Sequence, residues 1–193
     1  MKDKPELTFR TGFRVRLRLL TADDAVTLTT WMNDPETTQY ITQYLPKTLE
    51  AEHAWIELLY KNDKDIVFGI EHIEDDTLIG VIGLHHIQYR HGTASTGATI
   101  GSKDHLGKGY GSEAKMLLLK YAFDTLNLRK IGARVYAFNG RSLRYQEKCG
   151  YRVEGVLKEQ HFINGEYHDE VLLAVRREDW LPIWERYQST GTV

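Results

Sequence analysis

The chain has 193 residues, 41% hydrophobic and 27% charged, with a formal net charge of −2. That length fits one domain, residues 1–193 with a core over about 8–187, and the near-neutral balance gives no support for non-specific nucleic-acid binding, which needs a basic face. No apolar run approaches the ~20 residues that span a bilayer, and a lone cysteine, Cys149, excludes an internal disulfide framework.

The opening M-K-D-K-P-E is charged and lacks the apolar stretch of a signal peptide, which points to the cytoplasm. From Phe13 to Leu20, Val15, Leu17 and Leu19 alternate with Arg14, Arg16 and Arg18, which predicts a half-buried strand. Thr21 before Ala22-Asp23-Asp24 predicts an N-cap with acids in the first turn of a helix reaching about Met32, and Asn33-Asp34-Pro35 breaks it. A tyrosine-rich connection, Q-Y-I-T-Q-Y-L-P, leads to a second helix over about Thr48 to Tyr60. Ile66 to His72 and Leu78 to Leu84 read as strands turning at Asp75-Asp76, the second running on into His85-His86. Adjacent histidines face opposite sides of a strand and no H-E-x-x-H occurs, so no metal site is expected.

A strand over about Ala94 to Gly101 feeds a glycine-rich loop, and a helix follows from Tyr110 to about Leu126. Ile131 to Phe138 predicts a buried strand, and Gly140 to Cys149 a helix ended by Gly150. Arg152 to Ile163 and Tyr167 to Arg176 form a hairpin turning at Asn164-Gly165, and the polar end Gln188 to Val193 is expected to fray. This order implies an α/β (α+β) fold: a mixed, mostly antiparallel central sheet of about seven strands flanked by helices, with one crossover around the main helix.

The loop is the first candidate for chemistry. Glycines at 107, 109 and 111 let N–H groups turn inward, and the helix start adds unpaired N–H groups and a positive dipole end. Together they make an anion cradle suited to a phosphate or pyrophosphate, unless the segment is only a flexible turn. It is neither a P-loop, since no Lys-Ser or Lys-Thr pair follows, nor a dinucleotide fingerprint, since the last position counted from Gly107 is Ser112. Lys108 and Lys115 are placed to meet phosphate charge.

The second candidate is N-G-R-S-L-R-Y-Q-E-K-C-G-Y, residues 139 to 151. Asn139 stands where a strand ends and a helix begins, either as an N-cap or as an amide aimed into a cleft, and one side chain serves both. Ser142 and Tyr145 lie three apart and share a helical face.

With Gly109 and Gly111 in an [Q/R]-x-x-G-x-[G/A] loop, and with Asn139, Arg141, Ser142, Arg144, Glu147, Lys148, Gly150 and Tyr151 followed by Glu154-Gly155, the chain resembles the acyl-CoA N-acyltransferases of the GNAT superfamily. Within them it is similar to the RimJ/RimL type, which acetylates ribosomal-protein N-termini, and to spermidine acetyltransferase relatives. The likeness runs from V-R-L-R-L-L to D-W-L, with Leu106 where Gln or Arg is usual.

The resemblance implies acetyl-CoA as donor. Its pantetheine arm would pair with backbone near Thr99, Ile100 and Gly101, and its pyrophosphate would lie on Leu106, Gly107, Lys108, Gly109, Tyr110, Gly111 and Ser112. Asn139 and Lys148 would flank it from the other strand. The implied reaction is attack by a neutral primary amine on the thioester, whose oxygen meets a backbone N–H near Ile100 or Gly101.

Many superfamily members carry a Tyr seven residues after the Asn, where this chain has Gln146, so the leaving-group acid is Ser142, nearer the cofactor, or Tyr145. A-S-T-G-A-T-I-G holds no Glu or His, leaving Glu71, His85 and His86 as candidate bases. The acceptor site would form between Trp31–Leu45, with Tyr40 and Tyr44, and the hairpin around Phe162–His168. Asp34, Glu36, Glu166, Asp169 and Glu170 are there either to attract a cationic amine or as ordinary solvated acids.

The expected acceptor is a protein N-terminal α-amine or a small-molecule amine. Polyamines, amino sugars and antibiotics are alternatives, and so is a non-catalytic CoA-binding module. A homodimer is left open.

Overall fold

In the computed structural model, which describes residues 7–193, strand β1 (Thr8–Thr11) pairs antiparallel with β2 (Val15–Arg18). Val15 and Leu17 point into the core, and the alternating arginines point away. The charged opening run M-K-D-K-P-E lies outside the described residues. β1 is an eighth strand beyond the seven expected. It is four residues long and half-buried, too short for its alternation to stand out from a loop.

A single turn over 22–24 opens α1 (Ala25–Met32), with Asp24 accepting from the Thr21 N–H. Asp34 caps a short helix, α2 (Pro35–Thr38), and Thr48 caps α3 (Leu49–Leu59). The helices α1 and α3 cover one face of the sheet through Leu20, Leu28, Trp31, Ile56, Leu59 and Val67.

β3 (Ile66–His72), β4 (Leu78–Gln88) and β5 (Thr93–Ile100) continue the antiparallel order. The chain then crosses beneath the sheet as α4 (Tyr110–Lys120), whose last turn widens into a π-helical turn over Tyr121–Thr125. It returns as β6 (Lys130–Tyr136), parallel to β5. The helix α5 (Gly140–Lys148) leads to the hairpin of β7 (Arg152–Ile163) and β8 (Glu166–Arg176), and the sheet order is β1-β2-β3-β4-β5-β6-β8-β7. Asn164 and Gly165 turn the hairpin at φ +52° and +88°, the left-handed pair that Asn-Gly supplies.

The chain does not fray at Gln188. It forms α6 (Arg177–Thr190), closed by Gly191 at φ +69°. Pro182 lies inside α6 and hides it from a propensity reading, since an interior proline costs about 3 kcal/mol. Burying Trp180, Trp184 and Tyr187 at helical spacing against the main core offsets that cost.

One departure from regular pairing creates the cleft. β5 and β6 pair over only three positions, Thr93–Ser95 against Lys130–Gly132. β5 then stays on β4 and β6 stays on β8, so the two strands diverge. At the fork the ladder is replaced by a long side-chain contact from Thr96 Oγ1 to Gly132 O, 3.4 Å.

Just past β5, Gly101 packs against Trp31, and a Cβ there would fall 1.9 Å from the indole. Gly101→Ala is therefore expected to destabilise the fold by about 1–3 kcal/mol through overpacking, read as a lower denaturant midpoint.

Candidate active site

The diverging strands open a cleft of about 1370 Å³, beyond the ~300–1,000 Å³ of a single small-ligand pocket, so two reactants fit side by side. One end is the glycine loop. Gly107 and Gly109 take φ +75° and +87°, and Gly109 starts α4 with no side-chain cap. The first N–H groups of the helix are thus left for an anion.

The loop is held from behind. Arg14 Nη1 donates to Lys108 O at 3.0 Å, and Arg14 Nε pairs with Glu113 Oε2 at 3.0 Å. Leu106, Gly107, Gly109, Tyr110, Gly111 and Ser112 line the cleft, as do Thr99 and Ile100. Lys108 and Gly101 are not among the lining residues, and the Gly101 N–H is spent on Ile79 O at 3.0 Å. Alternation along the antiparallel pair therefore turns the backbone groups of Ala98 and Ile100 toward the gap, leaving the Ile100 N–H as the donor for an oxyanion.

Lys115 corrects the phosphate assignment made for it. It points into the core with no exposure, its Nζ donating to Thr96 Oγ1 at 2.6 Å, because its helical position faces the sheet.

The other wall is α5. Asn139 caps it by accepting from the Ser142 N–H at 3.0 Å, and both residues line the cleft. Arg141, Arg144 and Lys148 sit at one helical face and bring three cations to the same wall, a spacing visible in the sequence. Gln146 is buried and Tyr145 half-buried with its hydroxyl turned inward; both line the cleft, and neither Tyr145 Oη nor Gln146 Oε1 finds a hydrogen-bond partner among the described residues. Buried polar atoms left unpaired are uncommon and mark a place where a ligand completes the bonding. Burial holds the Tyr145 phenol well above its ordinary range, so it stays protonated.

On the opposite face, the three candidate bases separate. Glu71 does not line the cleft, and its carboxylate is bound by Arg16 Nε at 2.6 Å and by Arg18 Nε. That places it in a structural ion-pair cluster with Asp24. His86 reaches the rim of the cleft from a bulge at φ +52°, with an exposed side chain and its N–H donating to Asp65 Oδ1 at 3.1 Å. His85 Nδ1 lies 3.3 Å from the same Asp65 oxygen, and Nε2 has no hydrogen-bond partner among the described residues. Gly83 and Gly97 make room for it: a Cβ at either position would lie 2.9 Å or 3.5 Å from that nitrogen. Burial lowers the His85 pKa below 6.5, against the opposing pull of Asp65, so the ring is neutral near pH 7.

The acids expected to draw a cationic acceptor are mostly paired. Asp34 and Glu36 hold Lys103, Asp169 holds Lys158, and Glu170 holds Arg134 and His161. Glu166, exposed at the hairpin, has no ion pair among the described residues, and a further acid was missed in the sequence: Glu52 on α3 is 4% exposed, lines the cleft, and its carboxylate has no salt bridge and accepts no hydrogen bond among the described residues. Burial raises its pKa. An acid in register with Ile56 and Leu59 on the buried stripe of a helix is the signal that would have found it. His72, Asp75 and His105 bring ligating atoms within 4.8 Å of one another, each already hydrogen-bonded within the protein.

A mixed sheet forked between parallel strands, with an anion cradle at the start of the crossover helix, defines an acyl-CoA-binding transferase. The family model for the acetyltransferase (GNAT) domain matches residues 14–152. N-acetyltransferase YoaA of Bacillus subtilis (strain 168) is 32% identical over 165 residues, covering 84% of this chain and 93% of that protein. The putative ribosomal N-acetyltransferase YdaF of the same organism is 30% identical over 106 residues, covering 55% and 57%. The crystal structure of spermidine N-acetyltransferase from Vibrio cholerae in complex with CoA and spermine superposes with a TM-score of 0.78 at 27% identity, covering 87% of this chain and 98% of that one. The chain belongs to the GNAT acetyltransferase family and is an acetyl-CoA-dependent N-acetyltransferase.

Proposed function

We propose that the enzyme is of the RimJ/RimL type and acetylates a primary amine presented at a protein N-terminus, with His85 as the base and Tyr145 as the proton donor to the leaving sulfur. The observation that carries this is the pairing of an Asp65-oriented imidazole on one face of the fork with an unpartnered, buried phenol on the other. Acetyl-CoA supplies, when bound, an acetyl group activated as a thioester. His85 Nε2 takes the proton released by the attacking amine, and the Ile100 N–H meets the charge on the acyl oxygen. Tyr145 Oη gives its proton to sulfur as the carbon–sulfur bond breaks, and solvent returns the proton from His85 to Tyr145. Ser142 lines the cleft too; only its backbone N–H is engaged, by the Asn139 cap, so its hydroxyl is the second candidate donor.

Thr99 and Ile100, the loop backbone over 106–112, and Asn139 with Lys148 are the groups assigned to the donor. Lys108 contributes through backbone alone, and Gly101 is withdrawn from that set. The cytoplasm and a single domain over residues 1–193 belong to the same reading.

Glu52 favours a second reading, a polyamine acceptor whose distal ammonium meets that buried carboxylate. Thiol release from acetyl-CoA across a panel of N-terminal peptides, spermidine and amino sugars separates the two. Peptide turnover with kcat/KM above that of spermidine supports the first reading, and the reverse order overturns it. On the preferred acceptor, Tyr145→Phe is expected to lower kcat by about 100-fold with KM for acetyl-CoA unchanged.

A further inference from the structure

Lys115 is a fully buried cation without a carboxylate partner among the described residues. Its Nζ donates to Thr96 Oγ1 at 2.6 Å, and lies 5.2 Å from the Tyr145 ring centre and 5.1 Å from that of Tyr151. Thr96 Oγ1 also lies 3.1 Å from Tyr151 Oη, and Thr96 is the first β5 residue past the last β5–β6 pair. The charge therefore sits at the apex of the fork, beneath the cleft. The groups facing it are Thr96 from β5, Tyr145 from α5, Cys149 at the end of α5 and Tyr151 just beyond, with His85 of β4 across the sheet. A hydrocarbon of the same length would fill this space without the desolvation cost, so packing does not account for an ammonium here.

We propose that Lys115 is a positioning residue for acetyl transfer, its ammonium pinned by Thr96 under the Tyr145 ring and acting through that phenol to stabilise the negative charge that collects on the sulfur of CoA. The inference rests on Tyr145 as the proton donor. As the new nitrogen–carbon bond forms and the carbon–sulfur bond breaks, the electron pair moves to sulfur and the Tyr145 proton follows it. The charge left on the phenol then faces a fully buried cation, where the low local dielectric strengthens their attraction. Burial lowers the Lys115 pKa to about 8, so the ammonium is present at neutral pH and is lost as the pH rises through that value. On His85, where burial is the main cause of the lowered pKa, the Lys115 charge adds to the effect and helps keep the base neutral.

The test is Lys115→Met with two readouts. Titration of the thiolate absorbance of CoA bound to the protein needs no acceptor, and the ionisation constant of the bound thiol is expected to fall about tenfold in the variant. With acetyl-CoA and an amine, kcat is expected to fall about tenfold with KM for acetyl-CoA unchanged, and a wild-type break near pH 8 should vanish. Thermal stability at or above wild type accompanies both results. Identical thiol titrations in the two proteins overturn the proposal. Should Lys115→Met fail to fold, Thr96→Val detaches Nζ while leaving the charge, and an unmoved pH 8 break in that variant overturns it equally. A thiol shift without transfer to any amine upholds the role of Lys115 and rejects the acceptor assignment instead.

Discussion

Glu113→Ala is expected to cost about 3–5 kcal/mol of stability, the range for breaking a buried charged network. Glu113 has no exposure, and it lies in the first turn of α4 among donors from two other parts of the chain. Its Oε1 accepts from the Phe13 N–H at 2.6 Å, the Arg14 N–H at 2.8 Å and the Tyr187 hydroxyl at 3.1 Å, while Oε2 accepts from Arg14 Nε at 3.0 Å. One carboxylate thus ties the turn between β1 and β2, the start of the crossover helix and α6. Removing it strands buried N–H and O–H groups, each worth about 1–3 kcal/mol when unsatisfied.

The guanidinium of Arg14 is half-exposed and recovers water, so Arg14→Ala should cost no more than about 1 kcal/mol. Both changes release Lys108 O from its clamp, so acetyl-CoA affinity should fall in each. Urea titration of the two variants checks the ratio, and a Glu113→Ala midpoint matching Arg14→Ala would refute the keystone role.

His85→Ala is expected to lower kcat/KM by about 10²–10⁴-fold, the usual contribution of a positioned base, with partial rescue by added imidazole. Asp65 receives both the His86 N–H and the His85 ring, which fixes the tautomer with Nε2 unprotonated. Because burial lowers the His85 pKa, the base is in its working form above its own pKa, and the acid limb of kcat/KM lies below pH 6.5. In His86→Ala only an exposed ring is lost and the backbone bond to Asp65 survives, so its profile should match wild type. A His85→Ala variant retaining more than about a tenth of wild-type kcat/KM at pH 7 would remove His85 from the mechanism.

The parts of the site that were legible in the sequence are those built by near neighbours along the chain. Glycines at 107 and 109 announce left-handed backbone, Asn139 announces a helix start, and Asn164-Gly165 announces the hairpin, since each conformation depends on residues one to four positions apart. The helix-and-strand order followed from periodicity for the same reason. It failed where a short strand carried too little pattern, at Thr8–Thr11, and where tertiary burial overrode an interior proline, at Pro182.

Which way a charged side chain faces is a different kind of question. Lys115 reads as a phosphate contact from its place behind the loop, yet the α4 face it occupies packs on β5. Glu71 reads as a base from its strand, yet β2 sets Arg16 and Arg18 against it. His85 and His86 are equivalent as letters, and only the bulge in β4 and the approach of Asp65 separate them. Glu52 and Glu113 carry no motif at all, and their partners, or the lack of them, come from segments far away in the chain.

The amino-acid order thus settled the local geometry of the acetyl-CoA cradle and the family to which it belongs, because those are set by φ preferences and short spacings. The surroundings of His85 and Tyr145, the keystone carboxylate and the buried ammonium were decided by packing, because desolvation and ion pairing depend on residues that the fold brings together from far apart in the sequence.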